Sequence, residues 1–318
     1  MITFSENNMN TPLVSVIIPN YCHAKYLDQR IQSVLNQTYQ NFEVIILDDC
    51  SPDDGASRAV IEKYRDNPHV SHIIYNTENS GSPYKQWAKG SNLAKGQLLW
   101  IAESDDYADL HFLEYLVPEF KRGENVSVTF CRSIEFDENG IIGPAYPFDI
   151  EEGVYEGRDF IRKWCILKAG IVNASCAIFR KKSFYEISDI YTTFQGAADK
   201  LFWVEIAETG NVAFLEKPYN FFRQHATSTT KQIKKTGLNS IEDKRIFDYL
   251  CAHKHIKSEE IFYTKYEYLK HSVFEGYRDK RIQQKIYKAW GWGKHLQVYM
   301  KFKVWIDKAI SICKGQKK

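Results

Sequence analysis

The chain has 318 residues, enough for two domains or for one large α/β domain with an appendage. Its composition, 44% hydrophobic and 26% charged, is that of a globular protein with a sizeable core. A formal net charge of +2 makes no case for a nucleic-acid partner. Cys22, Cys50, Cys131, Cys165, Cys176, Cys251 and Cys313 are scattered and form no Cys-x-x-Cys pair. That argues against a disulfide framework or a zinc site and for a reducing, cytoplasmic setting. The first residues show no basic-then-apolar leader. No stretch reaches the roughly 18 apolar residues of a membrane span.

Short apolar runs alternate with helical patterns over the first 130 residues or so. Residues 14–18 predict a strand, and Leu27, Ile31, Val34 and Leu35 predict a helix over 26–35. A second strand over 43–47 ends in Asp48-Asp49-Cys50-Ser51-Pro52, and a helix over 56–64 follows. Strands over 70–75, 97–102 and 126–131 alternate with helices over 84–93 and 110–120. Alternation with short connections predicts an α/β fold: a mostly parallel sheet flanked by helices on both faces. Beyond Ser133 the pattern loosens. Residues 140–153 read as a loop, 158–167 as a helix, 174–179 as a strand and 200–208 as a helix. From about Thr236 the chain reads as wholly helical, and Ser240 with Asp243 has the spacing of a capping box.

The strand over 97–102 stops in Glu103-Ser104-Asp105-Asp106. Carboxylates this close repel one another unless a cation sits among them. Mg²⁺ and Mn²⁺ take oxygen ligands and share them with substrate phosphates. Open α/β sheets bind ligands just beyond the carboxyl ends of their strands, which is where this cluster lies. The plainer reading is a polar turn in which Asp105 or Asp106 caps a helix. Two other strand ends are polar. The first is Pro19-Asn20-Tyr21, whose aromatic ring suits stacking on a nucleobase or packing on the next helix. The second is Asp48-Asp49, suited to ribose hydroxyls, an imide N–H or an Asx turn. The first strand is followed by no Gly-x-Gly-x-x-Gly and no Walker A pattern, so metal and side chains must hold any diphosphate.

The segments VSVIIPNY, YLDQRIQSVLNQTYQNFEVIILDDCSPD and ENSGSPYKQWAKGSNLAKGQLLWIAESDD resemble glycosyltransferase family 2. A weaker match continues through NASCAIFRKKSF and ADKLFWVEIAETG to FFRQHATS. The resemblance implies a GT-A (Rossmann-like) catalytic domain over 1–235, with a nucleotide-binding half over 12–130 and an acceptor half over 131–235. Residues 236–318 form a basic helical extension. It implies an inverting transferase using a sugar nucleotide, commonly a UDP-sugar, with Mn²⁺ or Mg²⁺. Pro19 and Tyr21 would line the uracil site, Asp49 would contact the base with Asp48 beside it, and Lys85 would lie near the nucleotide. Glu103-Ser104-Asp105 matches the family's DxD element, with Asp105 as direct metal ligand and Asp106 orienting the donor sugar or a water just outside the metal's own ligands. Asp199 matches the general base. Arg223 and His225 match an Arg-x-His pattern that in some relatives reaches the metal or diphosphate. The chain departs from the pattern at Cys22, where Asn is usual, at Glu103, where Asp is usual, and at Ala198, where Glu is usual.

From Lys280 onward eleven Lys or Arg residues stand against one acid, Asp307. Lys294, Lys301 and Lys308 share one helical face, while Val298, Phe302, Trp305, Ile306, Ala309 and Ile312 occupy much of the other. That is the pattern of a helix at a membrane interface, or of one packed on the protein with a solvated lysine face. The expectation is a cytoplasmic glycosyltransferase acting at the membrane's inner face on a glycan or lipid-linked acceptor in surface polysaccharide synthesis. The alternatives are a non-catalytic sugar-nucleotide-binding or scaffold protein and a nucleotidyltransferase.

Overall fold

The structure is a computed structural model that describes residues 11–123, 125–145, 149–225, 233 and 235–315. Side chains at 274, 275, 300, 305 and 307–315 lie outside the described set, so the expected roles of Trp305, Lys308, Ala309 and Ile312 do too. The chain forms two compact units. One comprises Met1–Ile161 and Ala169–Ala226, the other Arg162–Lys168 and Thr227–Lys318.

The first unit opens with β1 (Val14–Asn20), α1 (Ala24–Leu35), β2 (Phe42–Asp48), α2 (Ala56–Glu62), β3 (Val70–Tyr75), α3 (Pro83–Leu93) and β4 (Leu98–Ile101). It continues with β5 (Tyr107–Ala108), α4 (Phe112–Leu116), β6 (Val126–Asp137), β7 (Gly140–Pro144), β8 (Gly153–Tyr155) and α5 (Gly157–Phe160). β9 (Ala177–Arg180), α6 (Lys181–Glu186), α7 (Ala198–Glu208) and β10 (Asn211–Arg223) complete it. The sheet order is β3-β2-β1-β4-β9-β6-β10-β5, with β7 on β6 and β8 on β10.

Every residue of β1, β2 and β4 is buried, as strands covered on both faces must be, and their β-branched and leucine runs suit that position. β1 lies between β2 and β4, parallel to both, with Asn20 beside Asp48 and Ile17 beside Ile101. The three polar strand ends predicted from sequence therefore emerge side by side.

The expectation of a mostly parallel sheet holds for β3-β2-β1-β4. Beyond β4 the sheet is mixed: β9 runs antiparallel to β4 and β6, while β10 runs parallel to β6. Two expectations fail nearby. The strand predicted to stop at Cys131 runs on to Asp137, because Gly140–Pro144 folds back on it as β7 rather than as loop. The helix expected over 158–167 is present: α5 runs directly into a π-helical segment over Ile161–Cys165, and residues 162–168 belong to the second unit. There the Tyr268 hydroxyl donates to the Ile166 carbonyl and Arg162 Nη2 donates to the Lys254 carbonyl at 3.3 Å.

The second unit contains α8 (Leu238–Ala252), α9 (Ile261–Leu269), α10 (Lys280–Ala289) and α11 (Lys294–Gly315). Trp290 is fully buried against Phe247 and Tyr268, with ring centroids at 5.4 and 5.2 Å, and its Nε1 donates to the Ser240 carbonyl at 2.7 Å. The expected capping box is not formed. α8 starts at Leu238 after Gly237, whose φ of 77° turns the chain, so Ser240 and Asp243 lie inside the helix and are buried. Among the described residues no helix is long and apolar enough to cross a membrane.

Candidate active site

The ends of β1 and β2 are tied by their own side chains. Asn20 Nδ2 donates to Asp48 Oδ2 at 2.7 Å, and Ser51 donates its hydroxyl to Oδ2 and its backbone N–H to Oδ1. Asp49 is buried and is the anchor of the 76–80 loop. Its Oδ1 accepts from Asn76 Nδ2 at 2.6 Å, Gln86 Nε2 at 2.9 Å and the Ser80 N–H at 3.0 Å; its Oδ2 accepts from the Ser80 hydroxyl at 2.7 Å. A buried carboxylate is tolerated because these donors replace its hydration. Lys85 is exposed and donates to the Ser80 carbonyl at 2.9 Å. Pro19 is buried in β1, whereas Tyr21, just past it, is 45% exposed and available for stacking.

The acidic run after β4 divides into four environments. Glu103 accepts from Trp87 Nε1 at 2.7 Å. Burial, with the Asp105 charge adding, pushes its carboxyl up to about 8. Ser104 Oγ lies 2.9 Å from His23 Nδ1. Asp105 Oδ2 lies 2.9 Å from His225 Nε2. Burial works against the Asp105 carboxylate, but the His225 hydrogen bond and the charges of His23 and His225 hold it below the usual range. Asp106 is fully buried and is a structural hub. Its Oδ1 accepts the Arg223 N–H at 2.9 Å, and its Oδ2 accepts from Ser175 Oγ at 2.7 Å and Asn173 Nδ2 at 2.9 Å. Burial and the Asp105 charge push it up to about 6, opposed by Arg30, whose Nη2 lies 3.9 Å away.

One face of α1 closes over this edge. Residues 23, 26 and 30 follow the i, i+3, i+7 spacing of a single helix face. Arg30 is fully buried and its Nε donates to the Glu103 carbonyl at 2.8 Å. Arg223 arrives from the end of β10. Its guanidinium lies over Tyr26 at 4.5 Å, donates to the Asp105 carbonyl at 2.7 Å and reaches Gln29 Oε1 at 2.5 Å. His225 follows two residues later, its ring 5.5 Å from that of His23 and 5.3 Å from that of Tyr26.

His23, Asp105 and His225 each offer one ligand atom, all within 4.8 Å of one another. Two imidazoles and a carboxylate are a donor set that fits a divalent cation such as Mn²⁺. Of the three residues assigned to the metal by resemblance, Asp105 and His225 stand in this set and Glu103 faces Trp87. Asp199 lies in the first turn of α7, half-buried, where the helix N-terminus favours a carboxylate.

Sequence reading passed over His23, Arg30, Trp87, Asn173 and Ser175. The helical spacing of 23, 26 and 30 was the available signal for the first two. The others act through contacts across 16 to 69 residues of chain, which no local pattern reports.

Among known proteins, the chain is 30% identical over 152 residues to the glycosyltransferase GlyG of Streptococcus pneumoniae, covering 46% of this chain and 45% of GlyG. It is 31% identical over 140 residues to chondroitin synthase of Escherichia coli, covering 44% of this chain and 20% of that one. The chain thus matches less than half the length of either relative. Among solved structures it is similar to S. aureus TarS 1-349 in complex with UDP-GlcNAc, with a TM-score of 0.62 and 17% identity over 87% of this chain and 79% of that one. The shared architecture is the GT-A fold. Residues 15–188, more than half of the chain, match the family model for glycosyl transferase family 2, and the chain belongs to that family.

Proposed function

We propose that the protein is an inverting glycosyltransferase that moves a sugar from a nucleoside-diphosphate donor, a UDP-sugar, to a glycan or lipid-linked acceptor in bacterial surface polysaccharide synthesis. The observation that carries this reading is the His23–Asp105–His225 set at the ends of β1, β4 and β10, beside exposed Tyr21 and the Asp49-anchored loop. A ring-stacking platform next to a cation-binding set suits a nucleoside diphosphate. The relatives agree in kind: a chondroitin synthase makes a polysaccharide, and TarS is bound to UDP-GlcNAc.

In this reading His225 and Asp105 hold Mn²⁺ or Mg²⁺, and Arg223 adds a fixed positive charge beside them. A bound divalent cation supplies charge that stabilises the departing diphosphate. Inversion is one in-line displacement at the anomeric carbon. The acceptor oxygen bonds to that carbon as the bond to the diphosphate oxygen breaks. Asp199 takes the proton of the acceptor hydroxyl, which is otherwise a poor nucleophile. Ala198 leaves that task to Asp199 alone.

The test is turnover of a panel of nucleotide sugars with Mn²⁺, with donor binding measured in parallel. Asp105→Ala should lose at least ~10²-fold in kcat/KM. Asp199→Ala should lose ~10²–10⁴-fold in kcat while keeping its affinity for UDP. Full activity in Asp199→Ala refutes the base assignment. UDP binding without turnover by the unaltered protein establishes the non-catalytic binding reading instead.

Contact with an anionic membrane surface belongs to the same proposal. In the second unit Phe262 of α9 and Val298, Tyr299 and Phe302 of α11 are exposed, Val298 to 68% and Phe302 to 59%. The Phe262 ring lies 5.9 Å from Tyr299, which joins the two helices in one apolar patch. Lys294 and Lys301 are exposed on α11. Apolar side chains bordered by lysines suit a lipid interface, each basic residue adding about 1 kcal/mol on anionic lipid.

A further inference from the structure

We infer that His23 is a third protein ligand of the cation, and that it makes the site select Mn²⁺ over Mg²⁺. The inference rests on the reading of Asp105 as the cation's carboxylate ligand. His23 stands just before α1, in the loop that leaves β1. Its ring meets that of His225 edge-on, at 5.5 Å and 89°, so the two imidazoles approach Asp105 from different elements. Its Nδ1 is engaged by Ser104 Oγ at 2.9 Å. Metal-bound histidines are held this way, with one ring nitrogen fixed by a neighbour and the other left for the ion. Ser104 is itself buried, so the ring is oriented by a fixed partner rather than by solvent.

Chemistry then decides between cations. Mg²⁺ prefers carboxylate, carbonyl and water oxygens, whereas imidazole nitrogen suits transition metals. A site with Asp105 and one histidine discriminates weakly. A second imidazole shifts the set from oxygen towards nitrogen donors and favours Mn²⁺. The same residue explains why Glu103, in the first position of the acidic element, can face Trp87: the third donor comes from the β1 loop instead.

The probe is Mn²⁺ alone, followed by electron paramagnetic resonance on the full chain, with Mg²⁺ as competitor. The unaltered protein should show echo modulation from two nitrogen nuclei and resist displacement by Mg²⁺. His23→Ala and His23→Gln should show one nitrogen. They should bind Mn²⁺ at least about tenfold more weakly, with Mg²⁺ affinity changed much less. Thermal melts of both variants confirm that the fold is kept. If Asp105→Asn loses Mn²⁺ while both His23 variants keep two nitrogens and the original Mn²⁺ to Mg²⁺ ratio, the site stands and His23 is no ligand. If Asp105→Asn binds Mn²⁺ as the unaltered protein does, the site reading falls and this inference with it.

Discussion

Cys22 and Cys50 hold left-handed backbone, with φ of 58° and 59°, just past the ends of β1 and β2. This conformation crowds the Cβ of an ordinary residue, and Asn tolerates it because its short amide bonds locally. Cys22 occupies the position where the family resemblance places Asn, and its N–H donates to Ser51 Oγ at 2.8 Å. Cys22→Asn should therefore stabilise the protein by on the order of 1 kcal/mol, read as a higher urea midpoint. An unchanged midpoint would mean that the loop already absorbs the strain. Asp105 was legible in the sequence because it ends an apolar strand among other carboxylates. Its partners were not. His23 stands 82 positions away and His225 stands 120 away, and only the parallel placement of β1 beside β4 and the return of β10 bring them to it.

At the scale of elements, the sheet depends on how closely β1 and β4 approach. Gly96 leads into β4, and its N–H donates to Ser15 Oγ at 2.8 Å. A Cβ there would stand 2.5 Å from the Leu13 carbonyl oxygen and 2.7 Å from the Ser15 nitrogen, both backbone atoms that cannot swing aside. Gly96→Ala should cost about 1–3 kcal/mol in urea unfolding, because it forces apart the starts of β1 and β4. Unaltered stability in this variant would show that the two strands can separate here without cost. The helices α1 and α3 were readable from their apolar spacing. Their polar faces were not, since Arg30 and Trp87 point inward at the acidic turn, where spacing alone predicts solvent or core.

At the scale of the whole molecule, the first half obeys the strand–helix rule and the second does not. Parallel strands need crossovers, so the alternation in the sequence reports them directly. The strands beyond β4 pair by long-range hydrogen bonding in both directions, and Gly140–Pro144 becomes a strand only because β6 extends to receive it. The second unit carries its own test. Val298→Glu and Phe302→Glu alter exposed side chains, so they should leave stability unchanged. Each should reduce flotation with anionic vesicles by about tenfold or more, given ~1.5–3 kcal/mol for a large apolar side chain. Equal flotation of both variants and the unaltered chain, or none by any of them, would end the membrane proposal.

The sequence by itself determined the α/β class, the positions of the first four strands along the chain and the acidic cluster at Glu103 to Asp106. These follow from local periodicity and from the abrupt change of polarity at strand ends. Only the tertiary structure decided which of the carboxylates does what. Glu103 is drawn to Trp87, Asp106 is consumed by Asn173, Ser175 and the Arg223 backbone, and Asp105 remains facing His23 and His225. Three carboxylates within four residues are separated by neighbours that the chain delivers from far away.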